Sequence, residues 1–253
     1  MDLRVLGCSG GVGIDLRTTT LQVDSDILID AGTGLGDLSL DAMSQIKHIF
    51  VTHSHLDHIA GIPLLIDTIF ERITEPVVIH AQAETLNALQ THIFNNIIWP
   101  DFSRIPKEAP VLEYQVMAPG EIVVLDNREF EMIPVNHAVT GVGYRVKGGK
   151  GVFAFSGDTT TNDTFWAALN KYDTLDTLIV EAAFSNADKE LCKIAGHYCA
   201  ELLGEDIKKL KHKPEIYITH NKPGLESSIF DECKQAIPGH TIYPLQGQKT
   251  FTF

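Results

Sequence analysis

Apolar runs rich in β-branched residues and broken by Gly and Asp open the chain. RVLG, TTLQVD and DILID therefore predict short strands joined by turns. IKHIFVT alternates and predicts another strand, while IAGIPLLIDTIFERI, longer and apolar at helical spacing, predicts a helix directly after it. VVIH and then AETLNALQTHIF repeat the strand-helix order. A second series begins near Val111. It has VLEYQVM, EIVVL, EFEMIPV, VGYRV and GVFAF as strands, DTFWAALN as a helix, TLIVE as a strand, a helix from about Tyr198 to Leu210, and EIYITH as a strand. Strands lead each half and helices alternate with strands afterwards, which predicts an α/β (α+β) fold of two mixed β-sheets packed together with helices outside.

Composition narrows the class. At 253 residues, 44% hydrophobic and 21% charged, the chain has ample core for one large domain or two fused halves. No apolar run approaches a membrane span, and MDLRVLGCSGG lacks the basic start and apolar stretch of a signal peptide, so a cytoplasmic protein without membrane attachment is expected. Cys8, Cys192, Cys199 and Cys233 show no paired metal spacing and read as reduced structural thiols, with only Cys8, in a glycine-rich turn, worth testing for reactivity. The formal net charge of −13 disfavours a long polyanion as partner, because nucleic-acid affinity comes largely from cations replacing counterions on phosphates. A small anion held by metal is compatible with it.

The chemistry concentrates at predicted strand ends. HSHLDHIAG, starting at His53, places three histidines and an aspartate within six residues on the turn between a strand and a helix. His53 and His55, two apart in extended backbone, face one side and can share an ion; Asp57 and His58 fall where the chain bends and can reach a second. His137 after EFEMIPVN, Asp158 after GVFAFSG and His220 after EIYIT each follow a predicted buried strand. Alone, any of them reads as a turn or capping residue. Together they make seven candidate ligands on four strand ends.

In order and context these residues resemble the metal-binding pattern of the metallo-β-lactamase superfamily, along nearly the whole chain. The resemblance implies a four-layer αβ/βα sandwich forming one metallohydrolase domain over residues 1–253. It implies that His53, His55 and His137 bind one divalent ion, that Asp57, His58 and His220 bind another, and that Asp158 bridges them. Imidazole and carboxylate suit zinc first, with manganese or iron as alternatives. HSHLDHIAG is similar to the H-x-H-L-D-H signature of class II cyclic-nucleotide phosphodiesterases, although IPLLID after Gly61 departs from it. LIVEAAFSN followed by GHYCAELL resembles an element shared with tRNase Z, and implies that Glu181 orients His197 while His197 touches phosphate or protonates the leaving oxygen.

The expected activity is therefore hydrolysis of a small phosphodiester, with a 3',5'-cyclic nucleotide the best single guess. Two ions about 3.5–4 Å apart can supply hydroxide and neutralise the oxygens of an in-line displacement. Asp57 has a general-base role as the alternative to ligation. A tRNase Z-like endonuclease would use the same centre. Against it, residues 62–119 hold no glycine and only Arg72, Arg104 and Lys107 as basic side chains, unlike a flexible basic arm. A diiron sensor or redox module is the alternative of another class. His48, His80, His92, His212 and His240 lack companions and receive no role, and GCSGGVG lacks the lysine of a phosphate-binding loop, so it reads as a tight turn. Phe94, Trp99, Phe102 and Arg104 offer three readings: a lid that stacks a base, a homodimer contact, or packing.

Overall fold

The predicted strands all form, and they divide between two sheets one strand into the second series, since VLEYQVM joins the first sheet. The computed structural model describes residues 1–253. Strands β1 (Asp2–Gly7), β2 (Thr20–Val23), β3 (Ile27–Ile29), β4 (His48–Phe50), β5 (Val77–Ala81) and β6 (Leu112–Val116) build the first sheet. Strands β7 (Ile122–Leu125), β8 (Arg128–Val135), β9 (Gly141–Lys147), β10 (Val152–Phe155), β11 (Thr177–Glu181), β12 (Glu215–Thr219) and β13 (Ile242–Pro244) build the second, and β14 (Thr250–Thr252) returns to the first beside β1. Each sheet has seven strands, in the orders β14-β1-β2-β3-β4-β5-β6 and β13-β12-β11-β10-β9-β8-β7. Pairing is antiparallel from β14 to β3 and from β7 to β10, and parallel from β3 to β6 and from β10 to β13.

Parallel neighbours need crossovers, which helices supply. The helices are α1 (Leu40–Met43), α2 (Leu56–Ile59), α3 (Gly61–Ile69), α4 (Ala83–Ala88), α5 (Thr164–Leu169), α6 (Lys189–Ala195), α7 (Ala200–Asp206) and α8 (Glu226–Ala236). The helix predicted from Ile59 starts earlier, at Leu56, and is interrupted at Ala60. Pro63 explains the interruption, because it has no N–H to return to the carbonyl of Ile59. Beyond Ala88 the predicted 83–94 helix widens: Phe94 N donates to Leu89 O over 2.9 Å, a five-residue turn.

Three apolar clusters make the layers. Between the sheets lie Val5, Phe50, Phe130, Tyr144, Phe153 and Phe155, with Phe50 stacked on Phe130 at 4.3 Å. Outside the first sheet, Ile62, Leu65, Ile66 and Ile69 of α3 pack on Ile49, Val51 and Ile79. Outside the second, Phe165 and Trp166 of α5, Leu203 of α7 and Ile229 of α8 cover Ala154, Leu178, Val180 and Ile218. The αβ/βα sandwich is thus as expected. The sequence patterns predict neither helices α1, α6 and α8 nor strands β13 and β14. In ESSIFDECKQA only Ile229 and Cys233 are buried, too few apolar positions to mark a period.

The aromatic segment packs part of its side chains and leaves Ile97 and Ile98 exposed. Phe94 and Phe102 are buried in the first sheet's outer cluster, Trp99 packs against it, and exposed Arg104 pairs with Asp101 at 3.0 Å. Phe94 and Phe102 are therefore not free to stack a base, whereas Trp99 is only partly covered. Nor are His48 and His80 solitary. His48 Nδ1 lies 3.0 Å from His80 Nε2, and His80 stacks on Phe50 at 4.4 Å. No helix is long and apolar enough to cross a membrane.

Candidate metal centre

Sheet direction brings the distant polar residues together. Asp158 and His220 follow β10 and β12 and Glu181 ends β11, three strands that run parallel, and His137 follows β8, which runs in the same sense two strands away. The 53–58 turn meets them from the end of β4 in the first sheet. His53, His55, His137 and Asp158 offer ligand atoms all within 4.8 Å of one another, and so do Asp57, His58, Asp158 and His220. Asp158 belongs to both groups. Its Oδ2 lies 3.2 Å from His220 Nε2, 3.3 Å from His58 Nε2 and 3.7 Å from His53 Nε2. Asp57 Oδ2 stands 3.7 Å from His220 Nε2 and 3.8 Å from His58 Nε2.

A third group adjoins these two. His197 Nδ1–H donates to Glu181 Oε1 at 2.8 Å, and the His197 ring lies 4.9 Å from that of His137 and 5.5 Å from that of His220. Glu181 is fully buried and also accepts from the backbone N–H groups of Thr159, Ala183 and Tyr198. All nine residues singled out in the sequence therefore converge on one site.

The donor set fits divalent ions. His53 Nε2 and His58 Nε2 are buried without a hydrogen-bond partner, a costly state that ligation relieves. Burial pushes the imidazoles of His137 and His220 down to about 4, and that of His53 well below the ordinary histidine value, so they are neutral at pH 7, the form that binds metal. Burial would raise the Asp158 carboxyl, but the facing imidazoles of His220 and His58 hold it well below the usual range. His58 differs. Burial disfavours its charge, yet Asp158 and Asp30 drive its pKa well above the ordinary value, which marks a buried position where positive charge is favoured.

A family model described as a beta-lactamase superfamily domain matches residues 25–220. The chain belongs to the β-lactamase superfamily. Among relatives in this superfamily, a probable 3',5'-cyclic-nucleotide phosphodiesterase of Yersinia pestis is 27% identical over 273 residues, covering 87% of this chain and 78% of that protein. A ribonuclease Z of Methanococcus maripaludis (strain C7) is 34% identical over 155 residues, covering 58% of this chain and 48% of that protein, about half its length. The crystal structure of unliganded yeast PDE1 superposes with a TM-score of 0.82 at 18% identity, covering 98% of each chain, a likeness of fold.

Several supports were invisible in the sequence. Asp30, read there only as the end of a strand, is completely buried, accepts from His58 Nδ1–H at 2.7 Å, and accepts from the Thr52 N–H and hydroxyl at 2.7 and 2.8 Å. Its backbone has φ 56°, a left-handed conformation that Asp tolerates better than most residues. His137 Nδ1–H donates to Gly196 O at 2.7 Å, and Gly196 has φ 73° with a Cβ site 2.7 Å from Ala138 N, so a larger residue there would displace both His137 and the adjoining His197. The available signal was the charged residue closing the apolar run DILID, which no surface strand requires. Burial pushes the Cys8 thiol up to about 11, away from the reactive thiolate form, and it donates to Leu245 O at 3.5 Å.

Asp30 yields a direct test. Asp30→Asn should keep the fold and the Thr52 contact but leave His58 poorly oriented, weakening metal retention roughly 10–100-fold, as is usual for such outer partners. Chelator titration followed by metal analysis measures it. Unchanged metal retention would show that Asp30 only closes the turn.

Proposed function

We propose that this chain hydrolyses a small phosphodiester, with a 3',5'-cyclic nucleotide as the preferred substrate, at a centre of two divalent ions. The observation that carries the reading is the sharing of Asp158 between two four-residue ligand groups, with the Glu181–His197 pair alongside. His53, His55 and His137 would hold one ion and Asp57, His58 and His220 the other, with Asp158 facing both. Seven nitrogen and oxygen donors without a thiolate suit zinc, and equally admit manganese or iron. When bound, two ions supply a nucleophile at neutral pH and neutralise the oxygens of an in-line displacement.

The chain's own residues perform the proton transfer. Glu181 takes the Nδ1–H of His197, which fixes the ring and leaves Nε2 as the atom that can hand a proton to the departing oxygen. Burial lowers the basicity of His197, but the Glu181 carboxylate more than offsets this and raises its pKa above the ordinary histidine value, the direction that favours its acid form. The Asp57 side chain is 31% exposed, unlike the buried His53, His58, Asp158 and His220.

The relatives point to two substrate classes, cyclic nucleotides and RNA. The net charge of −13 favours the small one, since an RNA-binding surface needs cations to displace counterions. Metal analysis of protein purified without added metal, followed by assay on cyclic nucleotides, bis-nitrophenyl phosphate, lactones and pre-tRNA, tests this. Turnover of small phosphodiesters with negligible tRNA affinity at physiological salt is expected. Efficient, specific cleavage of a tRNA 3' trailer would replace the cyclic nucleotide by RNA.

A further inference from the structure

Lys222 is a cation with no carboxylate partner beside a site built for anions. The cations Lys189, Lys193 and Arg17 each pair with an acid, Glu201, Glu190 and Asp37, whereas the Lys222 ammonium is paired with none. It is half-buried, and its only hydrogen bond runs to Gly10 O at 3.2 Å. An ammonium has three donors, so at least one remains uncommitted. An anion reaching this ammonium would meet a charge that no protein carboxylate neutralises, and a charge-assisted hydrogen bond is the strong kind.

The backbone around Lys222 is fixed from two sides. His220 N donates to Cys8 O at 2.8 Å and Gly10 N to Asn221 O at 3.0 Å, which join this segment to the glycine-rich turn. Asn221 Nδ2 donates to Ala182 O at 2.7 Å and Lys222 N to Ala183 O at 3.1 Å, which join it to the residues following Glu181. A Cβ on Gly10 would stand 2.4 Å from His220 O, so the close approach that brings this carbonyl to Lys222 needs glycine. The ammonium lies 5.6 Å from the Phe184 ring centroid, and the Phe184 ring lies 5.7 Å from that of His197. Lys222 thus approaches the His197 side of the ligand cluster across the Phe184 ring.

We propose that Lys222 binds a non-bridging oxygen of the substrate phosphoryl group, holding the phosphate beside His197 while the leaving oxygen faces the imidazole. The inference rests on the phosphodiesterase reading. It adds a substrate-binding residue outside the seven candidate ligands and the Glu181–His197 pair, and it gives the tight 8–10 turn a purpose, to aim the ammonium through the Gly10 carbonyl.

Lys222→Gln keeps a donor for Gly10 O and removes the charge; Lys222→Arg keeps the charge. Calorimetric titration with inorganic phosphate, together with KM and kcat on bis-nitrophenyl phosphate and metal content, separates the cases. For Lys222→Gln, phosphate affinity should fall and KM should rise, each roughly 10–100-fold, the loss expected for one hydrogen bond to a charged group. Metal content should stay at the wild-type level and Lys222→Arg should recover most of the affinity. Unchanged phosphate affinity and KM in Lys222→Gln would overturn the proposal. So would equal losses in both variants accompanied by loss of metal, which would make Lys222 a structural tie. If the wild-type protein turns over no phosphodiester, the proposed function fails, and the phosphate titration still decides Lys222.

Discussion

Asp158→Ala is expected to lose metal stoichiometry and hydrolysis together. Its Oδ2 faces His220, His58 and His53 at 3.2, 3.3 and 3.7 Å, and it is the one residue present in every ligand group of the site. Without it, each ion position keeps only the residues of its own half, and nothing holds the two positions at a bridging distance. Metal analysis should find fewer than two ions per chain, and phosphodiesterase activity should fall by about 10³-fold or more, since a positioned pair of ions supplies both nucleophile and charge neutralisation. Circular dichroism checks that the sandwich persists, as its three apolar clusters lie in the inter-sheet and outer layers away from this carboxylate. Full occupancy at the wild-type rate would refute the dinuclear assignment.

His197→Ala should separate chemistry from metal binding. Metal content and fold should survive, while hydrolysis of a cyclic nucleotide slows by a factor on the order of 10²–10⁴, the usual contribution of a positioned acid. Nitrophenolate leaves without a proton, so the deficit on nitrophenyl esters should be far smaller. Glu181→Gln should give a milder form of the same pattern. It should also move the alkaline limb of kcat to lower pH: burial lowers the imidazole's pKa, the Glu181 carboxylate raises it, and removing that carboxylate leaves burial to dominate. Equal losses on good and poor leaving groups would instead make His197 a phosphate-binding residue in ground and transition states alike. No loss on either would reduce it to a helix-start histidine.

The local part of the site was legible because its spacing is covalent. His53, His55, Asp57 and His58 lie within six residues on one strand-to-helix turn, and no folding alternative could separate them. His137, Asp158 and His220 were legible in a weaker way, each as a polar residue closing an apolar run. The runs themselves marked most strands, since residues buried on both faces of a sheet read as near-continuous hydrophobic segments. Elements with few buried positions escaped, as α8 did with Ile229 and Cys233 alone.

What the sequence determined by itself was the two-series order of strands and helices, the strand-end position of each candidate ligand and the acidic surface. All three depend on neighbours along the chain or on composition. Only the tertiary structure decided that Asp30, from the end of another strand, supports His58, that Gly196 O orients His137, that Phe94 and Phe102 pack inward, and that Lys222 approaches His197 across the Phe184 ring. These outcomes depend on which strands become neighbours across two sheets, and side-chain burial and hydrogen bonding follow from that pairing. Local spacing carries no record of which distant carbonyl or carboxylate will meet a given imidazole.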